Sequence, residues 1–234
     1  RQREKSMSIA EAIILGILQG LTEFLPVSSS GHLELASALF GMKDPDQNLT
    51  FSILLHGATV LSILAVFRKD ILELAMAALR FKNSFETRYI GLLIASAVPV
   101  GITGLLMESH IRLFFGGRII LVGCMLIVTA LLLYLTKFAQ ARQKDLNLPR
   151  ALIIGLAQTI AIIPGISRSG ATISTALMLG VSKEKATRFS FMMVLIPIIG
   201  ASLLEIKDLL AGPVSLEGSA LLPMAAGFLA AFLS

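Results

Sequence analysis

The stretch "AIILGILQGLTEFLPVSSSG", residues 12–31, decides the fold, because an apolar helical run breaks at a proline and continues into three serines and a glycine. A second stretch, "ALIIGLAQTIAIIPGISRSG" at 151–170, repeats this pattern at a constant offset of 139 residues. The matched pairs are Gly16 with Gly155, Gln19 with Gln158, Ser28 with Ser167, Ser30 with Ser169, Gly31 with Gly170 and Gly41 with Gly180. The constant offset indicates an internal duplication rather than a shared composition.

The composition is that of a membrane protein, with 55% hydrophobic residues, 15% charged residues and no tryptophan. Long apolar stretches recur at 51–67, 89–107, 118–136, 189–206 and 219–234. Each has about the length that crosses a hydrocarbon core of roughly 30 Å. Cys124 is the only cysteine, and we expect it to be a buried packing residue without disulfide or thiol chemistry.

Each repeated stretch predicts a re-entrant hairpin, 9–41 in the first repeat and 150–180 in the second. Half of such a hairpin, about 14 residues, is too short to span a bilayer. Its Pro–Ser–Gly tip is tolerated at membrane depth only where protein or a water cavity surrounds it. Three predicted spans separate the hairpins, so the second one enters from the opposite side.

The predicted fold is therefore an all-α polytopic membrane protein with inverted-topology repeats, forming one domain over residues 1–234. Repeat one covers 8–137 and repeat two covers 148–234. Because the second repeat stops inside an apolar run, we expect the native chain to continue beyond Ser234.

The basic residues of the loops predict the orientation in the membrane. We interpret the net charge of +5 as a topology signal and expect no nucleic-acid partner. One side collects Arg68, Lys69, Arg80, Lys82, Arg88, Lys137, Arg142, Lys144, Arg150, Lys183, Lys185 and Arg188. The other side collects Lys43, Arg112, Arg118, Lys207 and three residues at the N-terminus. The richer side should face the cytoplasm, so the first hairpin enters from the outer face.

Polar residues in the first hairpin indicate chemistry. Gln19 and Glu23 are four positions apart and share one helix face. A carboxylate in an apolar hairpin is functional by default, and the alternative is a Glu23 at a water-exposed edge. The serines at 28–30 precede a helix, whose N-terminus offers N–H groups and partial positive charge to a phosphate. His32 follows Ser29 by one turn, so nucleophile, base and orienting carboxylate can come together.

The second hairpin contributes a cation in "PGISRSGAT", residues 164–172. Arg168 needs a partner inside a membrane, and its planar fork suits phosphate. The alternative is a structural pairing with Glu23, which would still bring the two tips together. We expect His56 to be a structural histidine and Arg188 to reach the membrane surface with its charged end.

The motifs "QGLTEFLPVSSSGHL" (19–33) and "IPGISRSGAT" (163–172) closely resemble the signature segments of the undecaprenyl-diphosphate phosphatase family, also called bacitracin-resistance proteins. The resemblance covers nearly the whole chain, including "RFSFMMVLIP" (188–197). It implies a multi-pass enzyme of the bacterial plasma membrane that serves cell-wall biogenesis. Such an enzyme removes the terminal phosphate of a C55 polyprenyl diphosphate and gives the monophosphate carrier for peptidoglycan, supported by magnesium or calcium.

The roles of the individual residues are our hypothesis. We expect Ser29 to attack the terminal phosphorus and His32 to accept its proton or to serve the leaving group, although His32 as the nucleophile is the open alternative. We expect Glu23 to orient His32 or to help hold the metal, and Arg168 to stabilise charge on the phosphoryl oxygens. The family's acidic motif reads Gln19…Glu23 here, with one carboxylate. The expected substrate-binding residues are Gln19, Ser28, Ser30, Gly31, Ser167, Ser169, Gly170 and Thr172.

A transporter is the competing function, because inverted repeats with broken helices also build transporters, and a flippase for the lipid carrier could use the same tips. A transporter needs no nucleophile, so Ser29 and His32 favour the enzyme. Small residues on the spans also permit a homodimer.

Overall fold

The structure of the chain is a computed structural model. It describes residues 7–42, 45–79, 85–107, 118–139, 143–211 and 218–234. Residues 45–49, 78, 201–211 and 218–220 are described by their backbone alone. Several basic residues used for the orientation lie outside the described residues: Lys43, Arg80, Lys82, Arg112, Arg142, the side chain of Lys207 and the three at the N-terminus.

The described part is built from α-helices, which agrees with the predicted all-α class. In chain order they are α1 (Ile9–Phe24), α2 (Ser29–Leu39), α3 (Pro45–Val66), α4 (Arg68–Leu79), α5 (Phe85–Leu106), α6 (Ile119–Leu135), α7 (Leu148–Ile160), α8 (Arg168–Met178), α9 (Lys183–Ala211) and α10 (Gly218–Leu233). A 3-10 turn at Thr136–Phe138 extends α6.

Two helices in the described part are long and apolar enough to cross a bilayer, Phe85–Leu106 and Ile119–Phe138. They correspond to the predicted spans at 89–107 and 118–136. The span predicted at 51–67 ends at a 76° bend between α3 and α4, and the last one lies in the shorter helix α10. Cys124 is exposed on α6, so the prediction that it is buried is wrong. Exposed leucines and isoleucines surround it on this span, as expected of a surface that faces lipid.

Both repeated stretches fold as two helices around a break, with α1 packed on α2 and α7 packed on α8. The breaks are capped alike, since the Ser28 hydroxyl accepts a bond from Gly31 N–H at 3.3 Å and the Ser167 hydroxyl accepts one from Gly170 N–H at 3.0 Å. A glycine with positive φ follows the second helix of each pair. The φ angle is 73° at Gly41, after α2, and 84° at Gly180, after α8, a conformation that suits glycine at helix ends. The duplication therefore extends to the local hydrogen bonds.

The first helix of each unit packs through a glycine against a helix from the other half of the chain. A Cβ added to Gly16 of α1 would lie 2.3 Å from the Gly227 carbonyl oxygen of α10. A Cβ added to Gly155 of α7 would lie 2.3 Å from the Ser96 carbonyl oxygen of α5. Gly16 and Gly155 are equivalent in the duplication, so each repeat uses the same position for a close approach to a helix of the other repeat.

The segment before α7 makes a hydrogen bond and an ion pair with residues that follow α8. Lys144 N–H donates to the Gly180 carbonyl at 3.0 Å, and Asp145 pairs with Lys185 at 2.5 Å. The Lys185 ammonium holds the pKa of the exposed Asp145 carboxyl below its ordinary value. These contacts connect the segment to the C-terminal end of α8 and to the first turn of α9.

We expect Gly155→Ala to lower the free energy of unfolding by about 1–3 kcal/mol, because the added methyl group meets a backbone carbonyl that cannot turn away. Gly91→Ala on α5 is the matched control, since a Cβ there meets nothing within 4 Å. The comparison is a thermal unfolding series in detergent. A Gly155→Ala protein that unfolds at or above the parent's midpoint would contradict this packing.

Candidate active site

The two helix breaks lie against each other through backbone atoms. A Cβ added to Gly31 would lie 3.0 Å from the Gly165 Cα, and one added to Gly170 would lie 3.1 Å from the Pro26 carbonyl oxygen. Gly31 is equivalent to Gly170 and Pro26 to Gly165 in the duplication, so this contact is also reciprocal. Glycines at these two positions allow the N-termini of α2 and α8 to meet.

Glu23, at the end of α1, is the centre of the polar contacts at this junction. Its side chain is 8% exposed, and its Oε1 accepts a bond from Arg168 Nη2 at 2.9 Å. Its Oε2 accepts one bond from the Ser29 hydroxyl and one from Gln19 Nε2 at 2.9 Å. The structure thus brings three predicted residues, Gln19, Ser29 and Arg168, into hydrogen-bond contact with the carboxylate of a fourth, Glu23.

His56 on α3 also faces this carboxylate. Its Nδ1 donates to the Ser52 carbonyl at 2.8 Å, which agrees with the predicted structural role. Its Nε2 lies 3.6 Å from Glu23 Oε2, a contact that the sequence did not indicate. The two residues are 33 positions apart, and only the packing of α3 beside α1 brings them together.

His32 takes a different place from the one expected. Its Nδ1 donates to the Ser28 carbonyl at 2.8 Å, within its own helix turn. In the described part of the chain it makes no hydrogen bond or ion pair with Glu23 or Ser29. Glu23 contacts Ser29 directly, so this geometry makes Glu23 the base available to the Ser29 hydroxyl, while His32 stands apart from that contact.

The two helix N-termini supply further donors. Among the described residues, the N–H groups of Ser29, Ser30, Arg168 and Ser169 have no hydrogen-bond partner. Free N–H groups in the first turn of a helix, with the positive end of its dipole, favour an anion. Ser28 also has φ +71°, a backbone conformation that is rare for residues other than glycine. Strain of this kind is often found at functional sites.

The other predicted binding residues are distributed around the breaks. Ser30 and Ser169 lie 3.4 and 3.3 Å from the hydroxyls of their capping serines. The Thr172 hydroxyl hydrogen-bonds to the Arg168 carbonyl at 2.8 Å and to the Ser190 hydroxyl of α9 at 2.5 Å. It therefore connects the first turn of α8 to α9. Thr129 of α6 was not predicted, yet it bonds the backbone of the second break. No pattern in the sequence marks it, because it is a lone threonine in an apolar span.

The residues around Glu23 do not fit a metal ion held by the protein alone. Both carboxylate oxygens already accept bonds from Arg168, Ser29 and Gln19. In the part of the chain that the structure describes, no group of three or more His, Cys, Asp or Glu side chains could hold a metal. Magnesium and calcium need several oxygen ligands, and this junction offers one carboxylate beside a fixed positive charge.

Comparison with known proteins identifies the family of the chain. The family description "Bacitracin resistance protein BacA" matches residues 12–234, which include both breaks. The chain belongs to this family.

Curated relatives of this BacA-family chain carry the name undecaprenyl-diphosphatase. The one from Christiangramia forsetii is 50% identical over 229 residues, covering 97% of this chain and 86% of the relative. The one from Parabacteroides distasonis is 46% identical with the same coverage, and the one from Methanosphaera stadtmanae is 40% identical over 87% of this chain and 79% of the relative.

We expect Glu23→Gln to lower the free energy of unfolding by about 3 kcal/mol, because it leaves the Arg168 charge without its partner in apolar surroundings. The double variant Glu23→Gln/Arg168→Gln should recover part of that loss, since it removes both charges. Asp70→Asn, which breaks the more exposed pair with Arg188, is the control and should cost less than about 1 kcal/mol. Equal losses in denaturant titrations of Glu23→Gln and Asp70→Asn would contradict a buried pair.

Proposed function

We propose that the chain hydrolyses undecaprenyl diphosphate, a C55 polyprenyl diphosphate, to the monophosphate and inorganic phosphate. The observation that carries this is the Ser29 hydroxyl bonded to Glu23 at the meeting point of two helix N-termini, with Arg168 alongside. These are a nucleophile, a base, a cation and free N–H donors, the groups that phosphoryl transfer requires. The names of the relatives supply the lipid substrate.

The reaction follows from these contacts. Ser29 gives its proton to Glu23 Oε2 while its Oγ forms a bond to the terminal phosphorus, and the bond to the bridging oxygen breaks. The polyprenyl monophosphate leaves with that electron pair and needs no proton at neutral pH. Water then cleaves the phosphoserine, inorganic phosphate departs, and the serine oxygen regains a proton. Arg168 and the free N–H groups stabilise the charge on the phosphoryl oxygens.

The transporter alternative has weaker support. It accounts for the anion-binding helix ends but gives no reason for a hydroxyl bonded to a buried carboxylate. Phosphate release in detergent micelles separates the two functions, because transport requires two compartments.

We also propose that magnesium or calcium enters with the substrate rather than occupying a site built by the protein. Diphosphate oxygens are ligands that both ions accept, and waters fill the remaining positions, so the protein needs to supply few ligands. Equilibrium dialysis should then detect no magnesium on the protein alone, and binding should appear once polyprenyl diphosphate is added. Binding to the protein alone would contradict this.

We expect Ser29→Ala to lower turnover by at least about a thousandfold, because it removes the attacking oxygen. Binding of the diphosphate should stay near the parent's, since Arg168 and the helix N–H groups remain. Ser62→Ala, whose hydroxyl bonds the Phe232 carbonyl, is the control and should keep full turnover.

The chemistry of the trapped enzyme distinguishes the two candidate nucleophiles. Enzyme quenched during turnover with labelled substrate should carry an acid-stable label, as expected of phosphoserine. An acid-labile label, with Ser29→Ala retaining a large share of turnover, would assign the nucleophile to His32.

We further propose that the chain is a plasma-membrane protein whose site opens to the outer face, because the first hairpin starts on the side poorer in lysine and arginine. In a Cys124→Ser background, an impermeant thiol reagent on intact cells should label Asp44→Cys and not Lys144→Cys. The reverse pattern would overturn this orientation. A homodimer stays a proposal from the small residues of the spans, and cross-linking in the membrane tests it.

A further inference from the structure

One face of α6 touches both helix breaks. Val122, Leu126 and Thr129 follow one another at intervals of four and three residues, so they lie on the same side of the helix. A Cβ added to Gly165 would lie 2.5 Å from the Val122 carbonyl oxygen, and one added to Gly31 would lie 3.2 Å from the Leu126 side chain. Both breaks therefore pack against the same face of α6.

Thr129 is the member of this face that bonds to a break. Its hydroxyl donates to the Gly165 carbonyl at 2.9 Å and accepts from Ser167 N–H at 3.0 Å. Thr129 is 3% exposed, and in the described part of the chain these two backbone groups have no other hydrogen-bond partner. The Thr129 side chain thus supplies hydrogen-bond partners to two buried backbone groups that lie outside the α-helices.

In the described part of the chain, no side chain bonds the first break in this way. Ser28 is equivalent to Ser167, but its backbone N–H has no hydrogen bond among the described residues. Pro26 is equivalent to Gly165, and no hydroxyl of a described residue bonds its carbonyl. Among the described residues, a threonine contact of this kind is found at the break that carries the arginine.

We propose that Thr129 is a positioning residue for Arg168 in the hydrolysis proposed above, on which this inference rests. Ser167 immediately precedes Arg168, and its N–H and the Gly165 carbonyl fix the path of the chain into α8. Because Thr129 of α6 bonds both groups, it determines where α8 begins. That start in turn sets the reach of the Arg168 guanidinium to Glu23 and to a bound phosphoryl group.

A positioning role of this kind affects turnover more than binding. A displacement of roughly 1 Å in a group that contacts the transition state can cost on the order of a hundredfold in rate. Binding of the diphosphate depends also on the free N–H groups of α2, which Thr129 does not touch. Loss of Thr129 should therefore lower kcat strongly and change KM little.

The first test replaces the hydroxyl alone. Thr129→Val keeps the shape of the side chain, and we expect kcat to fall by about 10- to 100-fold with KM within about threefold of the parent. Thr129→Ser restores the hydroxyl and should keep kcat within about threefold. Thr136→Val is the control in the 3-10 turn that extends this helix, since its hydroxyl bonds the Leu133 carbonyl, and it should have the parent's kcat.

The second test asks whether the effect passes through Arg168. In an Arg168→Lys background, adding Thr129→Val should lower kcat by less than about threefold, because the contact that Thr129 positions is already lost. A residue that only stabilises the fold would lower kcat by the same factor in both backgrounds. Equal factors would overturn the proposal, and so would a Thr129→Val enzyme with kcat within about twofold of the parent.

Folding and function are controlled separately. Each variant is compared with the parent by size-exclusion profile and thermal unfolding in detergent. If Thr129→Val does not fold, Thr129→Ala takes its place with the same criteria, because it also removes the hydroxyl. A parent that releases no phosphate from undecaprenyl diphosphate overturns the proposed function, whereas an active parent with a fully active valine variant overturns only the role of Thr129.

Discussion

The rest of the structure depends on the ion pair between Glu23 and Arg168. Each charge would be costly alone in apolar surroundings, and each becomes tolerable at 2.9 Å from the other. The two residues come from different repeats, so the pair forms only if both helix breaks reach the same place. Glycines at 31 and 170 give the breaks room to touch, and glycines at 16 and 155 let the helices behind them approach equally closely.

The duplication explains how one site came to hold complementary groups. Ser29 and Arg168 occupy equivalent first positions of α2 and α8, and both side chains contact Glu23. The equivalent of Glu23 itself is Ile162. Both repeats keep the capping serine and its glycine, which shape the break, while the reactive side chains have diverged. The two repeats thus share the shape of the break, and the departures between them bring Ser29, Glu23 and Arg168 into contact.

The helical class, the positions of both breaks and the spans at α5 and α6 followed from the sequence, because hydrophobic length and a proline–serine–glycine pattern are local signals. Glu23, Ser29 and Arg168, which the structure brings into contact, are conspicuous in the sequence because they are polar residues in apolar helices. The contact of His56 with Glu23 and the bond from Thr129 to Ser167 were missed, because they depend on how α3 and α6 pack. His32 follows Ser29 by one turn, yet its ring bonds its own helix backbone.

The charge at the junction gives a reason why a divalent cation should come with the substrate. Glu23 and Arg168 cancel, so the side chains in contact there carry no net charge. Two helix N-termini add about one positive charge between them. One phosphate monoester alone carries about −1.5 to −2 at neutral pH, and the terminal group of a diphosphate is of this kind. The helix ends therefore leave part of the substrate's charge uncompensated. Arg168 cannot supply the difference while it still neutralises Glu23, and a cation bound to the diphosphate can.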